Sequence, residues 1–153
     1  MVRTKCGFDD RPGGPAGRVQ LVSFGPTLFV TISFDPNWVF TGSNPPPAVG
    51  SKVHALVDTG ATESCIDSVI AVQLNLPIVD RRPISGVHGA QLVNVHLAQI
   101  YVPTLNSWIY GAFAGVDLAA GGQSHRALIG RTFLTNYTMI YEGRTGTVTI
   151  HND

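Results

Sequence analysis

Ala55-Leu56-Val57 runs without a break into Asp58-Thr59-Gly60, and this junction constrains the fold more than any other stretch of the chain. The apolar run reads as a strand. Glycine frees the backbone for a sharp turn, so the Asp58 carboxylate is presented at a strand end. An acid in that position is costly unless it is used. Asp-Thr-Gly also suits an ordinary turn, in which Asp58 merely caps the bend. The rest of the chain has to decide between the two.

Far downstream, Ala127-Leu128-Ile129-Gly130-Arg131 leads into Thr132-Phe133-Leu134-Thr135-Asn136-Tyr137. Met139 to Ile150 then reads as a terminal β-hairpin with a Gly-rich turn. Between these motifs, Pro83-Ile84-Ser85-Gly86-Val87-His88-Gly89-Ala90 brackets two residues with glycines, as a mobile hairpin requires. A tight β-turn with no lid role would use the same residues. In this order the motifs resemble those of the retropepsins, the retroviral-type aspartic proteases built from two identical short chains. The likeness spans roughly residues 50 to 150. The chain is taken as a cellular or bacterial member.

The resemblance implies a mainly β fold, a closed acid-protease barrel with one or two short helices. It implies that Asp58 is catalytic, that Thr59 braces the partner loop across a two-fold axis, and that Gly60 lets substrate backbone approach. Ala61 and the flap residues Ser85, Gly86, Val87, His88 and Gly89 would hold substrate, with Gly130 and Arg131 supporting the site. Two positions depart from the family. Thr62 stands where many retroviral enzymes have an acid, which leaves Glu63 as the nearest acid and the partner of Arg131 open. Thr132 replaces the usual acid or amide after that arginine.

No second Asp-Thr-Gly exists in the 153 residues, and neither Asp67 nor Asp117 has the hydrophobic-Asp-Thr/Ser-Gly setting. The second carboxylate must therefore come from another copy, across a C2 axis. The expected protein is a homodimeric aspartic endopeptidase in which Asp58 of two subunits activates water. The alternatives are a catalytically silent module of the same fold that binds peptides or dimerises, and a protease domain that needs flanking sequence. Residues flanking the cut are expected to be apolar, matching a lining from Ile84, Val87 and the neighbourhood of Leu56.

Ten basic residues balance ten acidic ones and no basic run occurs, which argues against nucleic acid and leaves self-association unopposed. Hydrophobic residues make up 44% and charged residues 13%, as in a compact chain able to bury a core. No apolar run approaches the roughly 20 residues that span a bilayer. A cytoplasmic protein without membrane attachment is expected. Cys6 and Cys65 make no disulfide framework, and Cys65 reads as a small buried thiol. His54, His96, His125 and His151 lack metal-ligand spacing, so neither metal nor cofactor is expected. His88 reads as a surface imidazole, while Trp108, Tyr110 and Phe113 suit core or cleft wall.

Residues 1–18 are rich in Gly, Pro, Arg and Asp and read as a flexible lead, with the protease domain over 19–153. Val19 to Phe24 and Leu28 to Phe34 predict a hairpin about Gly25-Pro26. Asp35 to Gly50, with Pro36, Pro45, Pro46 and Pro47, predicts a loop of extended polyproline character. Lys52 to Val57 predicts the strand that delivers Asp58, and Asp67 caps a predicted helix through Leu74. Alternation at Val93, Val95 and Leu97, then Ile100 to Val102 and Trp108 to Ala114, predicts further strands.

Overall fold

The computed structural model describes residues 1–39, 41, 50–86 and 89–153. The expected flap tip, Val87-His88, and the prolines Pro45, Pro46 and Pro47 lie outside the described residues. The described chain forms, in order, β1 (Arg3–Lys5), α1 (Gly17–Phe24), β2 (Thr27–Ser33), β3 (Ser51–Val57), β4 (Cys65–Asp67), α2 (Ser68–Gln73), β5 (Ile78–Gly86), β6 (Gly89–Val102), a 3₁₀ turn (Pro103–Leu105), β7 (Ser107–Val116), β8 (Ala127–Ile129), α3 (Arg131–Leu134), β9 (Thr138–Glu142) and β10 (Thr147–His151).

The larger sheet has the order β2-β3-β8-β4-β7-β6-β5. A further antiparallel pairing, Thr31 with Tyr101 through Ser33 with Gln99, joins β2 to β6 and closes the sheet into a ring. The mainly β, closed barrel expected from the sequence is present. Closure follows from the length of β6: its N-terminal half pairs with β5 as a projecting hairpin, while its C-terminal half reaches both β7 and β2. Closing the ring pairs the outer side of β2, an edge that would otherwise invite pairing with other chains, and leaves β5 as the outermost strand of this sheet. Val30, Ile32, Ala55, Ile66, Ala98, Ile100, Val102 and Ile129 are fully buried within it. On β2, buried Leu28, Val30 and Ile32 alternate with residues that face outward, the period-2 signature of a strand packed on one side.

Two expectations are corrected. Val19 to Phe24, read as the first strand of a hairpin, is instead α1. The N–H of Gly17 donates to Asp10 Oδ1 at 2.7 Å, putting an anion at the helix start, and Gly25, at φ 71°, ends the helix with an N–H to Leu21 O. Its β-branched residues bias the local reading, but only Gly17 and Leu21 are buried, at helical i, i+4 spacing. The barrel thus carries a third short α-helix besides α2 and α3.

The expected flexible lead carries β1, which pairs antiparallel with β10 from Arg3–His151 to Lys5–Thr149. Cys6 N–H donates to Val148 O at 2.9 Å, and Phe8 N–H to Gly146 O at 2.9 Å. Thr4 and Cys6 alternate inward, so burial of this side of the strand, at 2% exposure for Cys6, holds the segment down. The terminal hairpin is present as β9 and β10, in register from Thr147–Glu142 to His151–Thr138. Its turn approaches α1 so closely that a Cβ on Gly146 would lie 2.3 Å from the carbonyl carbon of Gly17. The positive φ of 81° at Gly146 independently calls for glycine.

Candidate active site

β3 and β8 run parallel, with Val57 beside Ile129, so the chain leaves both strands at the same end of the barrel. The loop carrying Asp58 and the Gly130-Arg131 element are therefore neighbours, although more than seventy residues separate them. Asp58 N–H donates to Ile129 O at 2.9 Å, prolonging the pairing by one residue. Its Oδ1 accepts Gly60 N–H at 2.9 Å, and its carbonyl accepts Ala61 N–H at 3.2 Å. The side chain is half-buried and held by the turn that it begins, while Thr59 and Gly60 are exposed.

Gly130 and Arg131 clamp the outgoing half of that loop. The N–H groups of Arg131 and Thr132 donate to the carbonyls of Ala61 and Thr62 at 2.9 and 3.0 Å, and Gly130 N–H donates to Ser64 Oγ at 3.0 Å. The guanidinium of Arg131 spans the loop, donating from Nη1 to Thr59 O at 2.7 Å and from Nη2 to Thr62 Oγ1 at 3.0 Å. This answers the question left by Thr62: the arginine binds a carbonyl and a hydroxyl. Glu63 instead accepts from Thr132 Oγ1 at 3.3 Å. The two departures from the family motif thus engage other members of the same pair of segments.

A cavity of about 730 Å³ begins at Ala61, Thr62 and Glu63, passes Cys65, and is floored by Ala112, Ala114, Val116 and Leu128. Arg82, Pro83, Ile84 and Ser85 of β5 form its other wall. Ser85 therefore shares a cavity with the Asp58 loop. Gly86 and Gly89 do not: they line a smaller cavity of about 320 Å³ with His96 and Asp117. Ile84 lines the larger cavity, and from the neighbourhood of Leu56 it is Leu128, the partner of Leu56 in register on β8, that does so.

Burial pushes the Cys65 thiol up to about 11; a backbone hydrogen bond at Leu128 opposes the shift and the neighbouring Asp58 carboxylate adds to it. A thiol so shifted is protonated near neutrality and a poor nucleophile, which fits the small buried role read from sequence. Phe113 faces the core, Trp108 stacks on Tyr101 at 5.0 Å between centroids, and Tyr110 is exposed. Among the described residues no three His, Cys, Asp or Glu side chains gather as metal ligands, and no helix is long and apolar enough to cross a membrane.

Asp67 has a role that sequence reasoning missed. Its carboxylate does not cap α2. Oδ1 accepts the N–H groups of Leu118 and Ala119, both at 3.0 Å, and ties the end of β7 to β4 from a buried position. No local signal marks this, because both donors lie about fifty residues away.

His125 is buried beside β8. Thr27 Oγ donates its only proton to Gly25 O at 3.0 Å, so it accepts from His125 Nε2 at 2.8 Å. Nδ1 is then the unprotonated nitrogen, buried without a partner among the described residues. Burial lowers the His125 pKa below its ordinary value of 6.5, and His54 lowers it further. The folded chain thus prefers neutral His125, so the unfolded chain binds the proton first. This contribution to stability is complete above the unfolded value of 6.5. It is lost as pH falls from there toward the lower folded value. Urea midpoints at pH 7.5 and pH 5 are expected to differ less in His125→Asn than in wild type. An equal difference in both proteins would refute this.

No protein-family model matches the chain, and no curated protein matches it. Among solved structures it is similar to the solution structure of Simian Foamy Virus (mac) protease. The identity is 15% and the TM-score 0.44, over 71% of this chain and 90% of that one.

Proposed function

We infer that the protein is an aspartic endopeptidase that works as a homodimer, with one Asp58 from each subunit. The observation that carries this reading is the clamped loop. A half-buried carboxylate stands at a strand end, its turn is bound at four backbone and side-chain points by Gly130 and Arg131, and a cavity opens from the next residues. An ordinary turn has no need of such bracing, whereas a reacting acid gains from being held in place.

Two facing carboxylates a few ångströms apart cannot both ionise easily, so they share a proton and titrate as a pair. The ionised member takes a proton from a water between them, and the water attacks the scissile carbonyl. The protonated member donates to the carbonyl oxygen and then helps the amine to leave. Symmetry makes the roles exchangeable. Thr59 supports this reading because it is exposed, and its hydroxyl donates to no acceptor among the described residues; it is available to brace a second copy. An extended peptide would lie between the β5–β6 hairpin and the Asp58 loop, held by backbone hydrogen bonds as an added strand.

The test is subunit mixing at about pH 5, within the range suited to a shared-proton pair. Wild type is equilibrated with about a nine-fold excess of Asp58→Asn chain, and cleavage of a peptide mixture is followed. If each site needs two wild-type chains, activity per wild-type chain falls to about one-tenth. Unchanged activity per wild-type chain would show that each chain is complete alone and overturn the shared site. A dimer that cleaves nothing would favour a silent peptide-binding module.

A further inference from the structure

We propose that Ala112 and Ala114 determine specificity by opening the 730 Å³ cavity to one bulky aromatic side chain of the substrate, whose ring lies against Arg82. The proposal rests on the protease reading for its cleavage arm only. Ala112, Ala114 and Val116 are alternate residues of β7 and share one face, while Phe113 between them packs into the barrel core. In register, Cys65 lies opposite both Ala114 and Leu128, so a row of Ala114, Cys65 and Leu128 crosses three strands along the cavity floor.

Alanine is depleted in strands, where β-branched and aromatic residues pack better against their neighbours. Two alanines on one face of β7 forgo that packing, and with Cys65 they leave the floor low. The resulting volume lies in the range of small-molecule sites and has ample room for a phenyl or indole ring. Around that floor the lining is apolar at Ala61, Pro83 and Ile84 and polar at Thr62, Glu63, Ser64 and Ser85. Arg82 lines the same space and, among the described residues, forms no ion pair. A guanidinium facing an apolar floor favours an aromatic occupant over an aliphatic one, because it is attracted to the ring face.

The test uses peptide pairs carrying Phe or Ala at each position around the cut. Wild type is expected to prefer Phe at one position. At that position Ala114→Leu is expected to lower the Phe-to-Ala ratio of kcat/KM by about 10- to 100-fold, as losses of fit in an apolar pocket do. Ala112→Val, a smaller change, is the second variant should Ala114→Leu not fold. A second arm measures binding of the same peptides, fluorescently labelled, to Asp58→Asn protein, which needs no catalysis. Tighter binding of the Phe peptide, lost when Ala114→Leu is added, supports the proposal. No preference for Phe in either arm, or a preference that survives both substitutions, overturns it. Wild type that cleaves nothing would sink the protease reading, while the binding arm still decides what the cavity accepts.

Discussion

Asp58→Asn is expected to abolish peptide cleavage, by roughly 10³-fold or more, while leaving the fold in place. The magnitude follows from removing both the base and the acid of one site at once, each worth about 10²- to 10⁴-fold alone. Preservation of the fold follows from the local hydrogen bonding. Asp58 uses Oδ1 to accept Gly60 N–H, and asparagine offers an equivalent Oδ1. Its backbone N–H still donates to Ile129 O, and the clamp by Arg131 involves Thr59 and Thr62 rather than the carboxylate. Cleavage assays between about pH 4 and 7, paired with solution mass for both proteins, check the prediction. Equal cleavage by the two would remove Asp58 from the mechanism. A variant that loses its dimer along with its activity would instead assign the carboxylate a structural role.

Gly130→Ala is expected to cost about 3 kcal/mol, at the upper end of overpacking, and to lower the thermal midpoint by roughly 10 °C. The cause is contact with backbone, not strain in φ, which at −89° suits any residue. An added Cβ would lie 2.5 Å from the carbonyl carbon of Glu63, 2.6 Å from its oxygen and 2.9 Å from Thr62 O. None of these atoms belongs to a flexible side chain, so relief requires moving the loop that leaves Asp58. Moving it would lengthen the 2.9 and 3.0 Å hydrogen bonds from Arg131 and Thr132, so activity is expected to fall with stability. A change within about 0.5 kcal/mol, the usual range for surface substitutions, would show that the two segments are not locked together.

How much was legible in the sequence varies by element. The strand into Asp58, the segment from Ala127 through Arg131 and the terminal hairpin were readable because each is specified by close neighbours: a strand run, a turn glycine, another strand run. Val19 to Phe24 was misread because its β-branched residues look alike in a short strand and a short helix. Asp10, some seven residues earlier, and the capping glycine select the helix. The first residues read as a flexible lead by composition, yet β10 offers them an edge that composition does not reveal. Of the described residues read as a flap, Ser85 lines the main cavity, whereas Gly86 and Gly89 line an adjoining one that shares Ile84 and Val116 with it.

By itself, then, the sequence determined which acid stands at a strand end and that the chain is mainly β. These depend on residue identity and on spacing within a few positions. Only the tertiary structure decided what Arg131 binds, where the Asp67 carboxylate goes, and that Ala112 and Ala114 form a cavity floor. Each of those depends on partners about fifty or more residues away, brought together by strand register and by the closing of the ring.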